Sequence, residues 1–334
     1  MAAEKAQAAE TVAAAETATA AEPAQAAETV AEGPAAQAAA DVPVVRAAGE
    51  RTIAGRAVQV AEVGAPGPAT PVCYAFIDRA HGDDAQAIAQ AAAQRLAQAA
   101  EGERAAEGDS AASGFRPPAL FEQPAAGASV ESACVTGGAA AARAASVPDC
   151  APVAPASFTF VACDVCDWNA ALSPWPEAKG AYGEAFAGDG PATLAWLLDD
   201  CIPAIEGARS ARPRAIAGYS LAGLFAAWAF LESGAFRGLA CCSGSLWFPG
   251  WDAWAAGHQA PAGSVAYLSL GKKEPRVRNA RIAQVGAATE AFAGALRDAG
   301  AVRASTFVWN PGGHFNDPTG RLGAGIAWTV AHLA

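Results

Sequence analysis

The stretch RAIAGYSLAGLFAAW, Arg214–Trp228, carries the strongest structural signal in this sequence. Residues 215–217 form a short apolar run typical of a buried strand, and residues 221–232 have the composition and period of a buried helix. Between them, Ser220 stands in a tight turn with Gly218 two residues before it and Ala222 two residues after it. A strand, a sharp turn centred on serine and a helix are the setting of a nucleophile elbow. We therefore predict that Ser220 is a catalytic nucleophile, with a structural turn serine as the alternative.

The same letters occur once more, at Gly108-Asp109-Ser110-Ala111-Ala112, but in a different setting. This second occurrence lies in polar, low-complexity sequence, and no strand is predicted before it. A motif of this kind counts only in its predicted structural context. We expect no catalytic role for Ser110.

Composition limits the class of protein. The chain has 334 residues, 53% of them hydrophobic and nine of them Trp, which is ample for a large core. Its formal charge of −11 argues against a nucleic-acid partner, because phosphate binding needs an excess of Lys and Arg. No uncharged apolar run is long enough to suggest a membrane span. The first residues, 1–5, lack the basic start and apolar core of a signal peptide, so we expect a cytoplasmic protein.

The cysteines indicate neither a metal site nor a redox site. Of the eight, Cys163 and Cys166 form a lone C-x-x-C, whereas a zinc site needs two more ligands at suitable spacing. The sequence also has no glycine-rich phosphate loop and no dinucleotide fingerprint. We expect no metal and no cofactor.

The chain divides into a tail and one interrupted domain. Residues 1–41 are Ala- and Glu-rich, without an apolar stripe, and are predicted to be a disordered tail; a tether to a partner is the functional alternative. Residues 42–334 are predicted to form the domain. Within it, residues 101–155 are poor in large apolar residues and are predicted to be a flexible insertion, with a lid anchored by Phe115 and Leu120-Phe121 as the alternative.

Around the elbow, strand patterns alternate with helix patterns. Predicted strands span residues 42–47, 56–63, 71–77, 158–163, 215–217, 238–243, 264–270 and 302–308. Predicted helices span residues 84–99, 190–206, 221–232, 278–299 and 319–333. The alternation predicts an α/β fold with a mostly parallel central sheet in three layers.

Two further residues stand where a serine nucleophile needs its partners. In sheets with this elbow the catalytic residues follow the chain order Ser, acid, His. Glu274 follows the strand at 264–270, and His314, one of four His, follows the last strand. The carboxyl ends of parallel strands share one edge of the sheet, so we predict that Ser220, Glu274 and His314 meet there. Asp298 and Asp317 remain alternative acids, because Glu274 beside Arg276 is also compatible with a solvated ion pair.

The oxyanion hole and the pocket are predicted from the same edge. We expect the Leu221 N–H to be one oxyanion donor and the N–H of Ile77 or Asp78 to be the other. Aromatic and amide residues in the loops after the strands are expected to bind substrate, since open α/β sheets bind ligands there. The expected pocket residues are Trp168, Asn169, Trp175, Tyr219 and Trp247.

From about Phe158 to its end, the chain resembles the esterase group of α/β-hydrolases that includes esterase D, feruloyl esterases, trilactone siderophore esterases and mycolyltransferases. The resemblance rests on four motifs, namely 167–169 with 173–176, 218–223, 243–247 and 312–314. It implies hydrolysis of a carboxylic ester through an acyl-enzyme, with Ser220 as nucleophile and His314 as base. One departure is that Phe76-Ile77-Asp78-Arg79 replaces the His-Gly start of the usual oxyanion loop.

The sequence therefore predicts a serine esterase acting on a small-molecule ester of small or medium acyl group. The same three residues would also serve an acyltransferase or a peptidase. A degenerate hydrolase fold that binds a ligand without turnover is the alternative from another class. The sequence does not fix the oligomeric state.

Overall fold

A computed structural model describes residues 42–113, 157–207 and 210–333 of the chain. The predicted tail at 1–41, the lid anchors and residues 114–155 of the predicted insertion lie outside the described residues. Within the described ranges, no helix is both long enough and apolar enough to cross a bilayer.

Eight strands form one sheet. They are β1 (Val45–Ile53), β2 (Arg56–Val63), β3 (Val72–Ile77), β4 (Phe158–Asp164), β5 (Arg214–Tyr219), β6 (Gly238–Cys242), β7 (Ser264–Gly271) and β8 (Val302–Asn310). The strand order is β1-β2-β4-β3-β5-β6-β7-β8. Strand β2 pairs antiparallel with both β1 and β4, and all the pairs from β4 to β8 are parallel. The predicted mostly parallel sheet is confirmed.

The helices lie between the strands in the chain, except for the last helix, which follows β8. They are α1 (Ala85–Ser113), α2 (Trp168–Ala171), α3 (Gly190–Trp196), α4 (Ile202–Glu206), α5 (Leu221–Ser233), α6 (Trp251–Ala255), α7 (Ala280–Ala283), α8 (Val285–Asp298) and α9 (Pro318–Leu333). A π-helical turn, Leu197–Cys201, joins α3 to α4, and single 3₁₀ turns occupy Arg79–His81 and Glu274–Arg276. The single helix predicted over 278–299 is divided into α7 and α8.

Two apolar layers sandwich the sheet because side chains alternate along each strand. In β3, Val72, Tyr74 and Phe76 belong to one core cluster with α5 and α8, whereas Cys73, Ala75 and Ile77 belong to another with α1 and α9. All six residues of β3 are buried, as their continuous apolar run predicted. The predicted three-layer architecture is therefore confirmed.

Helix α1 corrects one predicted boundary. The insertion was predicted to begin at residue 101, but α1 continues to Ser113, so residues 101–113 are helical. Alanine and glutamate favour helix even where few large apolar residues are present. The prediction depended on the scarcity of large apolar residues after residue 100 and therefore missed the last turns of the helix. The second serine motif, 108–112, lies inside this helix and is not an elbow.

Candidate active site

The turn between β5 and α5 has the strained geometry of a nucleophile elbow. Ser220 has φ +58° and ψ −123°, a conformation that non-glycine residues rarely adopt. Its backbone is held from β6 and the loop beyond: its N–H donates to the Cys242 carbonyl at 3.2 Å, and its carbonyl accepts from the Ser245 N–H at 2.9 Å. The turn lifts the half-buried Ser220 above the carboxyl edge of the sheet.

Glycine is required at position 218. A Cβ atom on Gly218 would lie 2.0 Å from the Ala222 carbonyl oxygen and 2.7 Å from the Gly223 nitrogen. Both atoms are backbone, so no side-chain rotation relieves the overlap. The turn from β5 into α5 therefore requires the small residue that was expected two positions before Ser220.

We expect Gly218→Ala to lower the free energy of unfolding by about 3 kcal/mol, because overpacking against fixed backbone costs this much. Urea unfolding followed by circular dichroism measures the change. Gly67→Ala is the matched control, since a Cβ there meets nothing within 4 Å. Equal stabilities of the two variants would contradict the required close approach.

The structure brings Ser220, His314 and Glu274 together. The Ser220 Oγ lies 3.0 Å from His314 Nε2, and His314 Nδ1 lies 2.8 Å from Glu274 Oε2. With its proton on Nδ1, the imidazole donates to the carboxylate and accepts the serine hydroxyl proton. The alternative acids are engaged elsewhere: the Asp317 carboxylate accepts the Gly320 N–H, and Asp298 is exposed beside Arg297.

Glu274 is buried, not a solvated partner of Arg276. Its side chain is only 4% exposed. Its Oε1 accepts from the Ser243 hydroxyl and the Gly271 N–H, both at 2.7 Å, and from Arg321 Nη1 at 3.3 Å. Burial opposes ionisation, but the hydrogen bond and charge of His314, with those from Ser243 and Gly271, hold the pKa of the Glu274 carboxyl below its usual value. Glu274 is therefore an anion that faces the imidazole.

Two residues around this carboxylate have roles that the sequence did not indicate. Tyr219, predicted to bind substrate, donates its hydroxyl to the His314 carbonyl at 2.5 Å and accepts from Arg321 Nη1 at 3.2 Å. Burial raises the pKa of the Tyr219 phenol, which keeps this donor protonated. Arg321 has no motif around it and stood in a predicted helix. Only its burial in the folded chain singles it out.

The oxyanion donors are partly corrected. Leu221 begins α5, and the first N–H groups of a helix have no partner within it. In β3, the Val72 N–H bonds to the Pro213 carbonyl on the β5 side, so alternation directs the Ile77 N–H towards β4 and away from Ser220. Ile77 is therefore not placed to be the second donor.

Asp78 lies on the correct side of β3, but its N–H is engaged. It donates to the Asp83 carboxylate at 2.8 Å, and the Asp83 N–H returns a bond to the Asp78 carbonyl at 3.1 Å. The loop after β3 is thus closed by its own side chain. An oxyanion can bind the Asp78 N–H only by displacing Asp83.

The five residues predicted to bind substrate separate in space. Trp168 and Asn169 line an open cavity of about 450 Å³ together with Asp78, Cys166 and Asp167. The other three have contacts elsewhere. Tyr219 is bonded to the His314 segment as described above.

The remaining two tryptophans pack against the apolar layer. Trp175 donates its indole N–H to the Pro249 carbonyl at 2.8 Å, and its ring packs on Phe248 and Trp254. Trp247 is half-buried against the same cluster. We assign both to packing.

The C-x-x-C cysteines have unlike surroundings. Cys163 is buried in β4, and its hydrogen bond to Cys201, together with burial, raises the pKa of its thiol well above the usual value. Cys166 is exposed on the rim of the cavity beside Trp168. Among the described residues, no three His, Cys, Asp or Glu side chains are grouped as metal ligands would be.

Comparison with solved structures places this architecture among known folds. The chain is similar to the siderophore hydrolase EstA from Aspergillus nidulans, at 15% identity and a TM-score of 0.52, over 95% of this chain and 100% of that one. It is also similar to the siderophore hydrolase EstB from Aspergillus nidulans, at 14% identity and a TM-score of 0.52, over 85% of this chain and 94% of that one. An IroE-like serine hydrolase from Shewanella oneidensis matches at 13% identity and a TM-score of 0.50, over 87% of this chain and 79% of that one.

Sequence comparison adds no closer relative: no family model matches, and no curated protein matches significantly. At these low identities the structural likeness shows the fold alone. The resemblance that the elbow and the later motifs indicated is confirmed at that level. The chain has the α/β-hydrolase fold that these hydrolases share.

Proposed function

We propose that the protein is a serine hydrolase that cleaves a carboxylic ester through an acyl-enzyme intermediate. The observation that carries this proposal is the continuous chain of hydrogen bonds from Ser220 Oγ through His314 to Glu274, with spacings of 3.0 and 2.8 Å. A serine hydroxyl becomes a nucleophile when an adjacent base is itself oriented by a third group. The strained elbow, which holds Ser220 above the sheet edge, supports the same role.

The proposed steps use this geometry. Ser220 Oγ attacks the ester carbonyl carbon while His314 Nε2 takes the hydroxyl proton, and the Glu274 anion stabilises the imidazolium. The Leu221 N–H is the first donor to the tetrahedral oxyanion. His314 then gives the proton to the leaving alcohol, and an acyl group remains on Ser220. Water, deprotonated by His314, releases the acid and restores the serine.

The substrate is proposed to be a small or medium ester whose non-reacting part binds beside Trp168 and Asn169. The residues that line this cavity follow β3 and β4, and β3 pairs with β5, the strand that ends just before Ser220. The proposal needs no cofactor, nucleic acid or membrane. The described cysteines are free thiols, which supports a reducing compartment such as the cytoplasm.

A ligand-binding protein without turnover is the second candidate, and one observation favours it. The Asp78 N–H, the better placed second oxyanion donor, is already bonded to the Asp83 carboxylate. A missing oxyanion donor costs about 10²–10³ in kcat. The closed loop therefore suits slow or absent catalysis, and testing it decides between the candidates.

For the proposed enzyme, we expect Asp83→Ala to raise kcat for a p-nitrophenyl ester by about tenfold. The substitution removes the carboxylate that competes for the Asp78 N–H, and one oxyanion donor contributes more than tenfold to kcat. Asp84→Ala, at the adjacent N-terminal end of α1, is the control. Steady-state kinetics with both variants measures the change. An unchanged or lower kcat in Asp83→Ala would remove the Asp78 N–H from the mechanism.

The proposed function is tested by labelling with a fluorophosphonate probe and mapping the modified peptide by mass spectrometry. We expect one probe per chain, on Ser220, and strongly slowed labelling in His314→Ala. A series of p-nitrophenyl esters of increasing chain length then measures the acyl size that the site accepts. Adding a primary alcohol or an amine separates acyl transfer from hydrolysis by its product. A folded wild type that neither labels nor turns over would favour the ligand-binding candidate.

A further inference from the structure

The guanidinium of Arg321 contacts Glu274 directly. It also contacts two hydroxyl groups that bond to Glu274 and to the His314 backbone. Arg321 is 4% exposed, and its Nη1 donates to Glu274 Oε1 and to the Ser243 hydroxyl, both at 3.3 Å. The same Nη1 lies 3.2 Å from the Tyr219 hydroxyl, and Nη2 lies 2.7 Å from the Pro311 carbonyl. We propose that Arg321 is a positioning residue, which orients the Glu274 carboxylate and fixes the segment that carries His314. This inference rests on the proposed function.

The first part of the role is electrostatic. A carboxylate 4% exposed is costly unless a charge and hydrogen bonds compensate it. Arg321 is a permanent positive charge that contacts Glu274 on Oε1 and leaves Oε2 for His314. Each oxygen of the buried carboxylate therefore has a basic side chain as its partner.

The second part of the role is geometric. Arg321 holds the Pro311 carbonyl directly, three residues before His314. Through the Tyr219 hydroxyl, which donates to the His314 carbonyl at 2.5 Å, it also supports the backbone at His314 itself. The segment is thereby held at both ends. Its glycine-rich sequence, Gly312-Gly313, would otherwise leave the imidazole free to move.

Helix α9 keeps the guanidinium in place. A Cβ on Gly323 would lie 2.6 Å from the Ala91 Cβ, and a Cβ on Gly325 would lie 2.6 Å from the Cys242 sulfur. The helix is therefore seated closely on α1 and on β6, within about one turn of Arg321. This close packing fixes the backbone of α9 from which the Arg321 side chain extends.

Other charged or titratable groups lie around Arg321 and Glu274. They come from three strands and two loops: Tyr219 on β5, Cys242 on β6, Tyr267 on β7, Lys273 in the loop after β7, and His314 and Asp317 in the loop between β8 and α9. Burial raises the pKa of Tyr267 well above its usual range and that of Cys242 to about 12, so both are neutral near pH 7. Arg321 and Glu274 are thus a buried pair of opposite charges beside His314.

The test compares Arg321→Met, Arg321→Lys and Tyr219→Phe in the full chain. Arg321→Met removes the charge, and we expect kcat to fall about 100-fold with KM within about twofold, because a small misplacement costs this much. Loss of the positive charge also favours the protonated imidazole, so the acid limb of the kcat/KM profile should rise by about 1 pH unit.

The other two variants separate charge from geometry. Arg321→Lys keeps the charge but cannot reach four acceptors, so kcat should fall while the acid limb stays at its wild-type pH. Tyr219→Phe removes only the hydroxyl support and should also lower kcat without moving the acid limb. Arg297→Met, on the exposed face of α8, is the charge-matched control. Circular dichroism establishes that each variant is folded.

A readout without turnover keeps this inference distinct from the proposed function. The downfield proton resonance of the His314 Nδ1–H reports its bond to Glu274 whether or not the protein hydrolyses an ester. We expect it in the wild type and in Arg321→Lys, and expect its loss or displacement in Arg321→Met. A wild type with the resonance but no Ser220-dependent turnover would refute the proposed function alone. An acid limb and a resonance unchanged in a folded Arg321→Met would overturn the role of Arg321.

Discussion

Ser220→Ala is expected to lower kcat for a p-nitrophenyl ester by about 10⁶-fold, because the three catalytic residues act as one unit. The variant keeps the elbow backbone, since its N–H and carbonyl bonds to the Cys242 and Ser245 backbone are unaffected. It also keeps the cavity beside Trp168. KM should therefore change little, and the loss should lie almost wholly in kcat. Continuous spectrophotometric assays with a highly purified variant measure both constants.

The matched control is Ser233→Ala, at the other end of the same helix. The Ser233 hydroxyl donates to the Ala229 carbonyl and accepts from the Ala235 N–H, and neither contact reaches the active site. Its kcat should equal that of the wild type. Combining Ser220→Ala with His314→Ala should cost no more than either change alone. Additive losses, or a Ser220→Ala variant with substantial activity, would show that another group is the nucleophile.

Glu274→Gln is expected to lower kcat by about 10⁴-fold, because an amide can hold the imidazole in the wrong tautomer and cannot stabilise the imidazolium. The effect should be large here because Glu274 Oε1 already has three donors. If the amide NH₂ faces those donors, hydrogens oppose hydrogens. If it faces His314, it donates to Nδ1 and holds the imidazole in the tautomer that has its proton on Nε2. The ratio of kcat in variant and wild type, measured at the pH of maximal activity, gives the size of the loss.

The controls are the two alternative acids. Asp298→Asn removes an exposed carboxylate, and Asp317→Asn keeps a side-chain oxygen for the Gly320 N–H at the start of α9. Both variants should retain kcat within about twofold. If Asp317→Asn lost activity while Glu274→Gln retained it, the assignment of the acid would be wrong. A Glu274→Asp variant adds a distance test, because its shorter side chain cannot reach both Gly271 and His314.

Much of this architecture was accessible from local sequence patterns. The elbow was predictable because Gly218 and Ala222 meet a steric demand that arises within a few residues. Glu274 and His314 were predictable because parallel strands deliver their carboxyl ends to one edge, so chain order alone limits the choice. The buried strand β3 was equally clear from its continuous apolar run. In each case the physical cause lies within one element or in the order of elements.

The features that were missed depend on contacts between distant parts of the chain. Arg321 is buried only because α9 sits closely on α1 and β6, which no pattern around residue 321 reveals. The engagement of the Asp78 N–H depends on the turn that brings Asp83 back to it. Trp175 was predicted to bind substrate because it lies in an aromatic loop, but its neighbours, Phe248 and Trp254, come from a loop and helix some seventy residues later. Whether a tryptophan lines a pocket or fills a layer is decided by such partners.

The exposed thiol at the rim of the cavity provides a chemical handle. The other five described cysteines are buried, and burial raises the pKa of those in the sheet, so maleimide reagents should react with Cys166 first. Once Cys134 and Cys150, which lie outside the described residues, are replaced by serine, a fluorophore can be attached at one position beside Trp168. In Ser220→Ala protein, quenching or release of that fluorophore would then follow ligand binding in real time. Affinities could be ranked across a library of intact esters before any substrate for turnover is known.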